Sequence, residues 1–349
     1  MMSSLKKIVV CSVQVPFIRG GAEYFTDNLV SRLVERSHQV DRVQLPLQTL
    51  PLEEVVKNCL AWRLLNVDRI YNEPIDMVIG TKFPSYMIPH SRKIIWLVHQ
   101  YREIYDLYGT AYSGFQPTSE HNQLRQQLID LDQLALSEAR RIFTISKTVS
   151  KRLLDFNRFD STPLYPPLND AGSFHFAALE DFILSVSRLE GNKRVHLLIE
   201  SMQHVSSRFK AVIVGEGFLR REYEQAAQKC GVSDRITFLG GLPREEIIDL
   251  YSRAGALFYG PIGEDYGYAT LEAFYSHKPV VTCTDSGGIL EFVEDGVTGW
   301  VSDTDPRNIA ASIEQALSDK PEARRRGDAG CEKIQYIGWN HVLDNLLGG

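Results

Sequence analysis

The sequence predicts an α/β protein built from two Rossmann-like domains, each a parallel sheet covered by helices, facing each other across a cleft. Three observations carry that prediction. Continuous apolar runs of strand length alternate with amphipathic helical stretches, the pattern of strands buried on both faces. The alternation occurs twice, on either side of residues 163–173, a segment whose Pro163, Pro166, Pro167, Gly172 and Ser173 read as a stiff connector. The chain has 349 residues with a 44% hydrophobic share, enough for two cores of ordinary size.

The first half opens with a strand over residues 8–13, then Gly20 and Gly21, then a helix carrying Phe25, Leu29, Leu33 and Val34. Two lysines before the apolar run imitate a secretory leader, but Gln14 and Pro16 interrupt it and no small-residue cleavage site follows. A buried first strand is the better reading. Further strands are predicted at 77–79, 94–98 and 142–145, with helices at 55–65, 121–136 and 149–154. The second half repeats the grammar, with strands at 182–186, 211–214, 236–239, 256–259 and 279–282. Its helices fall at 195–202, 219–229, 244–252, 269–276 and 306–317. The predicted domains are 1–167 and 168–333, followed by a C-terminal helix within 334–349 whose apolar side is Trp339, Val342, Leu343, Leu346 and Leu347.

Net charge is −6, so no global basic field argues for nucleic acid. Five scattered cysteines, never spaced C-x-x-C, fit a reducing compartment and give no disulfide framework. No cluster has metal-ligand spacing and no Walker-type loop is present, so neither a metal site nor a cofactor is predicted. No stretch has the length of a membrane span, so the chain reads as cytoplasmic. Peripheral contact with the inner membrane surface through residues 62–65 competes with core packing, which apolar stripes of this kind favour. The sequence leaves the oligomeric state unknown.

The chemistry concentrates in residues 260–272, where an apolar strand leads into a loop with Glu264 and Gly267, then a helix start at Tyr268, Ala269 and Thr270, then Glu272. A helix N-terminus offers unpaired N–H groups and a positive dipole end to a phosphate. Ionised carboxylates on either side only accept hydrogen bonds, which suits hydroxyl groups. Phosphate flanked by hydroxyls describes a nucleotide-diphosphate sugar. Taken singly, each glutamate is equally well an ordinary solvated residue. Gly20 and Gly21 follow the first strand, and Gly215 and Gly217 follow another; each pair could bring backbone N–H groups to a phosphate or make a plain turn. Arg188 and Lys193 lie five apart on a strand-to-helix loop, able to reach one anionic group or simply to be solvated. His99 ends a strand, where it could position a sugar hydroxyl or serve as a structural loop histidine. Ligands of such sheets sit outside the carboxyl ends of the strands, which is what groups these residues.

Together these motifs resemble the retaining family-4 glycosyltransferases of the GT-B fold, over almost the whole chain. Gly20-Gly21-Ala22-Glu23 is similar to the N-terminal glycine loop, Ser187 to Lys193 to the Arg…Lys diphosphate site, and Glu264 to Glu272 to the paired-glutamate signature. Gly287 to Glu291 and Asp295 to Gly299 continue the pattern. The resemblance implies a retaining, metal-independent transfer of a hexose from a nucleotide-diphosphate sugar to a saccharide or lipid-linked saccharide acceptor. It implies sugar contacts for Glu264, ribose contacts for Glu272, approach of the Gly267–Tyr268 backbone to the sugar, Thr270 near the phosphates, His99 facing the donor sugar, and a C-terminal helix returning toward the first domain. Ser187 and Arg194 stand where glycine is common, which puts local geometry in doubt. Tyr165-Pro166-Pro167 replaces the frequent Pro-Asn-Gly and is similar to several mannosyltransferases, a lean toward GDP-mannose. The alternatives are a GT-B sugar-nucleotide epimerase or phosphorylase, and a non-catalytic nucleotide-sugar-binding partner subunit.

Overall fold

The computed structural model describes residues 5–16 and 20–348. It divides into two compact units, Met1–Pro166 with Gly338–Gly349, and Pro167–Ile337.

Unit 1 begins β1 (Lys7–Gln14), α1 (Gly21–Glu35), β2 (Gln39–Pro46) and α2 (Glu53–Leu64). A small antiparallel hairpin of β3 (Arg69–Ile70) and β4 (Glu73–Pro74) leads to β5 (Met77–Gly80) and β6 (Lys93–Leu97). Then come α3 (Ser119–Ser137), β7 (Arg141–Thr144), α4 (Lys147–Asn157) and β8 (Thr162–Pro163). Its six-stranded sheet is parallel throughout, in the order β2-β1-β5-β6-β7-β8. The apolar runs read from sequence are its central strands: Val9, Val10, Val78, Ile79, Ile95 and Trp96 are fully buried. Helix starts are fixed locally, Thr118 accepting from the His121 N–H and Ser146 from the Val149 N–H. The edge strand β2 is absent from the sequence-based expectation. It lies half-buried and interleaves polar residues with apolar ones, so it offers no continuous apolar run. Of residues 62–65, Trp62 is fully buried in the core, Arg63 and Leu65 are half-buried and Leu64 is exposed. Among the described residues no helix is long and apolar enough to cross a membrane.

Unit 2 runs β9 (Phe182–Val186), α5 (Val195–Ser201), β10 (Lys210–Val214), α6 (Arg220–Lys229), β11 (Ile236–Gly240), α7 (Arg244–Arg253) and β12 (Ala256–Phe258). It continues with α8 (Tyr268–Tyr275), β13 (Val280–Cys283), β14 (Gly299–Ser302), α9 (Pro306–Ser318) and α10 (Lys320–Ile334). This second parallel sheet has the order β11-β10-β9-β12-β13-β14. Its core gathers Ile183, Leu198, Ile213, Phe258 and Ile313. The helix α10 lies outside the elements that the sequence predicts. Its inward positions include Ala323, Gly327 and Gly330, which approach their neighbours so closely that a Cβ on Gly327 would lie 2.1 Å from the His277 carbonyl oxygen. Packing by small residues leaves no apolar periodicity to read.

The last helix, α11 (Trp339–Leu347), belongs to unit 1. Val342, Leu343 and Leu346 are buried, Trp339 packs edge-on to Trp96 at 6.2 Å between ring centroids, and Arg36 pairs with Asp344 at 2.6 Å.

Candidate active site

The strand order of unit 2 creates a specific place for a ligand. Adjacent strands β9 and β12 send the chain in opposite directions across the sheet, and at such a switch point the loops beyond the carboxyl ends separate into a crevice. The loop after β9 carries Arg188 and Lys193; the loop after β12 carries Glu264 and Gly267. The Ile262 N–H donates to the Asn192 carbonyl at 2.9 Å, tying the two loops together.

At this point Lys193 meets Glu264: the ammonium Nζ lies 2.5 Å from Oε2 and donates to the Tyr259 hydroxyl at 3.3 Å. Both partners are largely buried. Burial by itself would lower the Lys193 ammonium, but the Glu264 carboxylate and Tyr259 outweigh it and hold it above its ordinary value. Burial, then the Glu264 charge, pushes the Tyr259 hydroxyl up, so it stays protonated. Of the two readings of Lys193, the buried pairing excludes the solvated one. Arg188 is different. Its guanidinium is half-exposed and pairs with Glu190 at 2.9 Å, so the structure sets the two cations on different carboxylates.

Gly267 caps α8 with φ of +86°, a left-handed conformation that a side chain resists, and a Cβ there would meet Ile289 at 3.0 Å and Tyr259 at 3.1 Å. Tyr259 therefore touches both Lys193 and the opening of α8. Tyr268 and Ala269 form the first turn, and the Ala269 carbonyl accepts from Tyr251. Thr270 is fully buried, with a hydroxyl that has no partner among the described residues. Such a group costs stability unless something satisfies it.

Arg194 explains one departure from the resembled pattern. It occupies a left-handed conformation at φ +50°, where glycine costs least. Its guanidinium, buried, donates to the Gly260 and Pro261 carbonyls at 2.9 and 3.1 Å and grips Asp285 at 2.6 and 2.8 Å. The strained arginine thus staples the start of the Glu264 loop. That loop is closed from the other side by the Gly288 N–H donating to the Glu264 carbonyl at 2.7 Å.

Glu272, one turn into α8, is buried and accepts from Arg244 at 2.6 Å. Arg244 also grips Asp170 at 2.7 and 3.2 Å. Sequence reasoning missed Arg244, Tyr259 and Asp170; no local pattern marks them, since each acquires its partner only through the fold.

The glycine pairs have different explanations. Gly215 donates its N–H to the Gly240 carbonyl at 2.8 Å, so that amide is occupied within the fold. A Cβ on Gly215 would lie 1.9 Å from the Ser187 carbonyl oxygen, and one on Gly217 2.3 Å from that of Leu189. These glycines let two loops touch, a packing role beside the expected ligand role. In unit 1, Gly20 donates to the Glu23 carboxylate at 2.9 Å and Gly21 begins α1. His99 follows β6, partly buried, with Nδ1 2.7 Å from the Gln100 carbonyl oxygen; a carbonyl only accepts, so Nδ1 carries the hydrogen. Gln100 in turn donates to Asn157, which donates to the Tyr105 hydroxyl at 2.8 Å. Tyr105 and Tyr86 each donate to Asp132 at 2.6 Å. Burial pushes the Asp132 carboxyl up to about 6, with the two hydroxyls and Asn157 holding it back from rising further. Among the described residues no group of three His, Cys, Asp or Glu side chains is placed to hold a metal ion.

Residues 173–333 match the family model of glycosyl transferases group 1. The matched segment lies within unit 2 and takes in nearly all of it. The resemblance to family-4 glycosyltransferases is borne out there. The chain is 26% identical over 206 residues to the human alpha-1,3/1,6-mannosyltransferase ALG2, covering 51% of this chain and 49% of that protein. It spans about half the length, or less, of curated relatives such as this one. Among solved structures, a sucrose-phosphate synthase from Thermosynechococcus elongatus superposes with a TM-score of 0.77 at 19% identity, covering 98% of this chain and 97% of that one. HepE from Anabaena, solved with UDP and glucose, has a TM-score of 0.69 at 16% identity and 98% coverage of both chains. These likenesses establish the fold, that of the GT-B glycosyltransferases, around the group 1 domain.

Proposed function

We propose that the protein is a retaining glycosyltransferase that moves a hexose from a nucleotide-diphosphate sugar to a carbohydrate or lipid-linked glycan acceptor without a metal ion. The observation that carries this reading is the Lys193–Glu264 pair at the switch point, joined through Tyr259 to the N-terminus of α8 inside a group 1 domain. The α8 N-terminus and the unpartnered Thr270 hydroxyl suit phosphate oxygens. Lys193 and Arg188 offset the charge that grows on the diphosphate as the glycosidic bond breaks, the part a metal ion would otherwise take. Glu264 holds hydroxyls of the transferred sugar and Glu272 holds those of the ribose. The acceptor side is assigned to unit 1 from the resemblance alone, and the cytoplasm is the proposed location, with any membrane contact peripheral. The name of ALG2 and the Tyr165-Pro166-Pro167 run support GDP-mannose as donor; the UDP and glucose of HepE make UDP-glucose the comparison.

The test is release of nucleoside diphosphate from GDP-mannose and UDP-glucose by the purified protein. Slow hydrolysis of one donor, with mannose or glucose freed, supports a transferase. Binding without any hydrolysis points to a non-catalytic partner subunit, and neither binding nor hydrolysis overturns the reading.

A further inference from the structure

We infer that Arg244 is a positioning residue for the donor, holding Glu272 in the orientation that takes the ribose hydroxyls, with Asp170 locking Arg244 in place. This rests on the assignment of the ribose to Glu272 made above. Three observations carry it. First, Arg244 is the opening residue of α7, where the helix dipole disfavours a cation, so local helix preference does not explain it. Second, its guanidinium is divided between two carboxylates: Nε and Nη2 go to Asp170 at 2.7 and 3.2 Å, and Nη1 to Glu272 Oε1 at 2.6 Å. The Phe174 ring lies under it, 4.9 Å from the guanidinium carbon to the ring centroid. Third, the bond from Arg244 and the buried Tyr251 hydroxyl against the same carboxylate use part of the acceptor capacity of Glu272 and together fix its rotation, leaving lone-pair sites for a diol. Arg244 and Glu272 are 28 residues apart and Asp170 lies 74 residues before Arg244, so the fold brings two distant carboxylates onto one guanidinium.

A purely structural ion pair would tie residues 170–174 to α7 and α8 and alter stability without regard to the ligand's sugar. The positioning role makes a sharper claim. Losing Arg244 leaves the Glu272 carboxylate held by Tyr251 alone and no longer fixed for a diol, and only ligands with ribose hydroxyls notice.

The test is calorimetric titration of the full chain with GDP and UDP, each beside its 2′,3′-dideoxy counterpart, with thermal melts as the check on folding. Wild type should prefer the ribose form by about tenfold, the scale of a charge-assisted hydrogen bond. Arg244→Ala should weaken the ribose form about tenfold and leave the dideoxy form within about twofold, so the preference collapses. Arg244→Lys keeps the charge but not the fork and should fall between. Asp170→Asn should lower the preference less than Arg244→Ala does; these two milder variants carry the test if the alanine variant does not fold. Equal loss for both ligand forms, or no loss, overturns the inference. Glu272→Gln separates the two failures. If it keeps the full ribose preference, the ribose assignment itself is wrong; if it loses that preference while Arg244→Ala retains it, the inference alone falls.

Discussion

Lys193 and Arg188 stand on one loop, yet their surroundings give them different consequences. Removing Lys193 strands Glu264 in a largely buried place, whereas removing Arg188 frees an accessible Glu190. If both cations serve the departing diphosphate as proposed, Lys193→Ala and Arg188→Ala should each cut turnover on the order of a hundredfold. Only Lys193→Ala should also lower the urea midpoint clearly, since exposed pairs contribute little. Wild-type turnover in both variants would remove the assignment. The two glutamates should divide in the same way. Under the proposed function, Glu272→Ala removes ribose contacts that exist before and during reaction, so the donor KM should rise with less change in kcat. On the same reading, Glu264→Ala removes contacts to the sugar that reacts, so kcat should fall sharply while affinity for the bare nucleoside diphosphate persists. Steady-state kinetics with calorimetry decides; a reversed pattern exchanges the roles. In unit 1, Asp132 has its carboxyl raised to about 6. A raised carboxyl stabilises the fold in its protonated form, fully below the unfolded value of about 4, and that contribution is lost as pH rises through about 6. Wild type should therefore gain stability relative to Asp132→Asn as pH falls from about 7 to about 4. Urea titrations of both proteins across that range would refute the prediction if their curves ran parallel.

At the level of elements, the opening of α8 and the turn before α5 show two ways of managing left-handed backbone. Gly267 does it with no side chain. Gly267→Ala should lose about 1–3 kcal/mol, the scale of such backbone strain, and weaken nucleotide binding by tilting the first turn of α8. Arg194 accepts the strain and uses its guanidinium to hold the Glu264 loop. Arg194→Gly should lose that staple but relieve the strain, while Arg194→Ala loses the staple and keeps it. The alanine variant should be the less stable of the two by about 1 kcal/mol. Denaturation midpoints with equal m-values would establish the order; an alanine variant at or above the glycine variant would contradict it.

For the whole molecule, unit 1 is completed by residues that come last in the chain. Deleting residues 338–349 strips Val342, Leu343 and Leu346 from that core and uncovers Trp96, each buried side chain being worth about 1.5–3 kcal/mol. That sum is comparable with the whole stability of a domain. The truncated chain should lose amide-exchange protection in β1 and β6 while retaining it in β9 and β10, and uniform protection would count against this account. Under the proposed function, the product should keep the donor's anomeric configuration and activity should survive a strong chelator. An inverted product by NMR, or activity lost to chelator and restored by a divalent ion, would count against it.

The sequence by itself determined the α/β class, the central strands of both sheets and the run from Glu264 to Glu272. Each is a local signal: a buried parallel strand must be apolar throughout, and a helix start beside glycine and carboxylates is contiguous in the chain. The edge strand β2 and the small-residue helix α10 escaped because their packing depends on what lies against them rather than on their own periodicity. Partnerships were decided only by the tertiary structure. Lys193 finds Glu264 across 71 residues because the strand order makes β9 and β12 neighbours. The same folding brings Arg244 to Glu272 and encloses Asp132 between Tyr86 and Tyr105. A charge's role depends on which opposite charge or hydroxyl it is desolvated against, and that neighbour is chosen by the topology of the sheet rather than by distance along the chain.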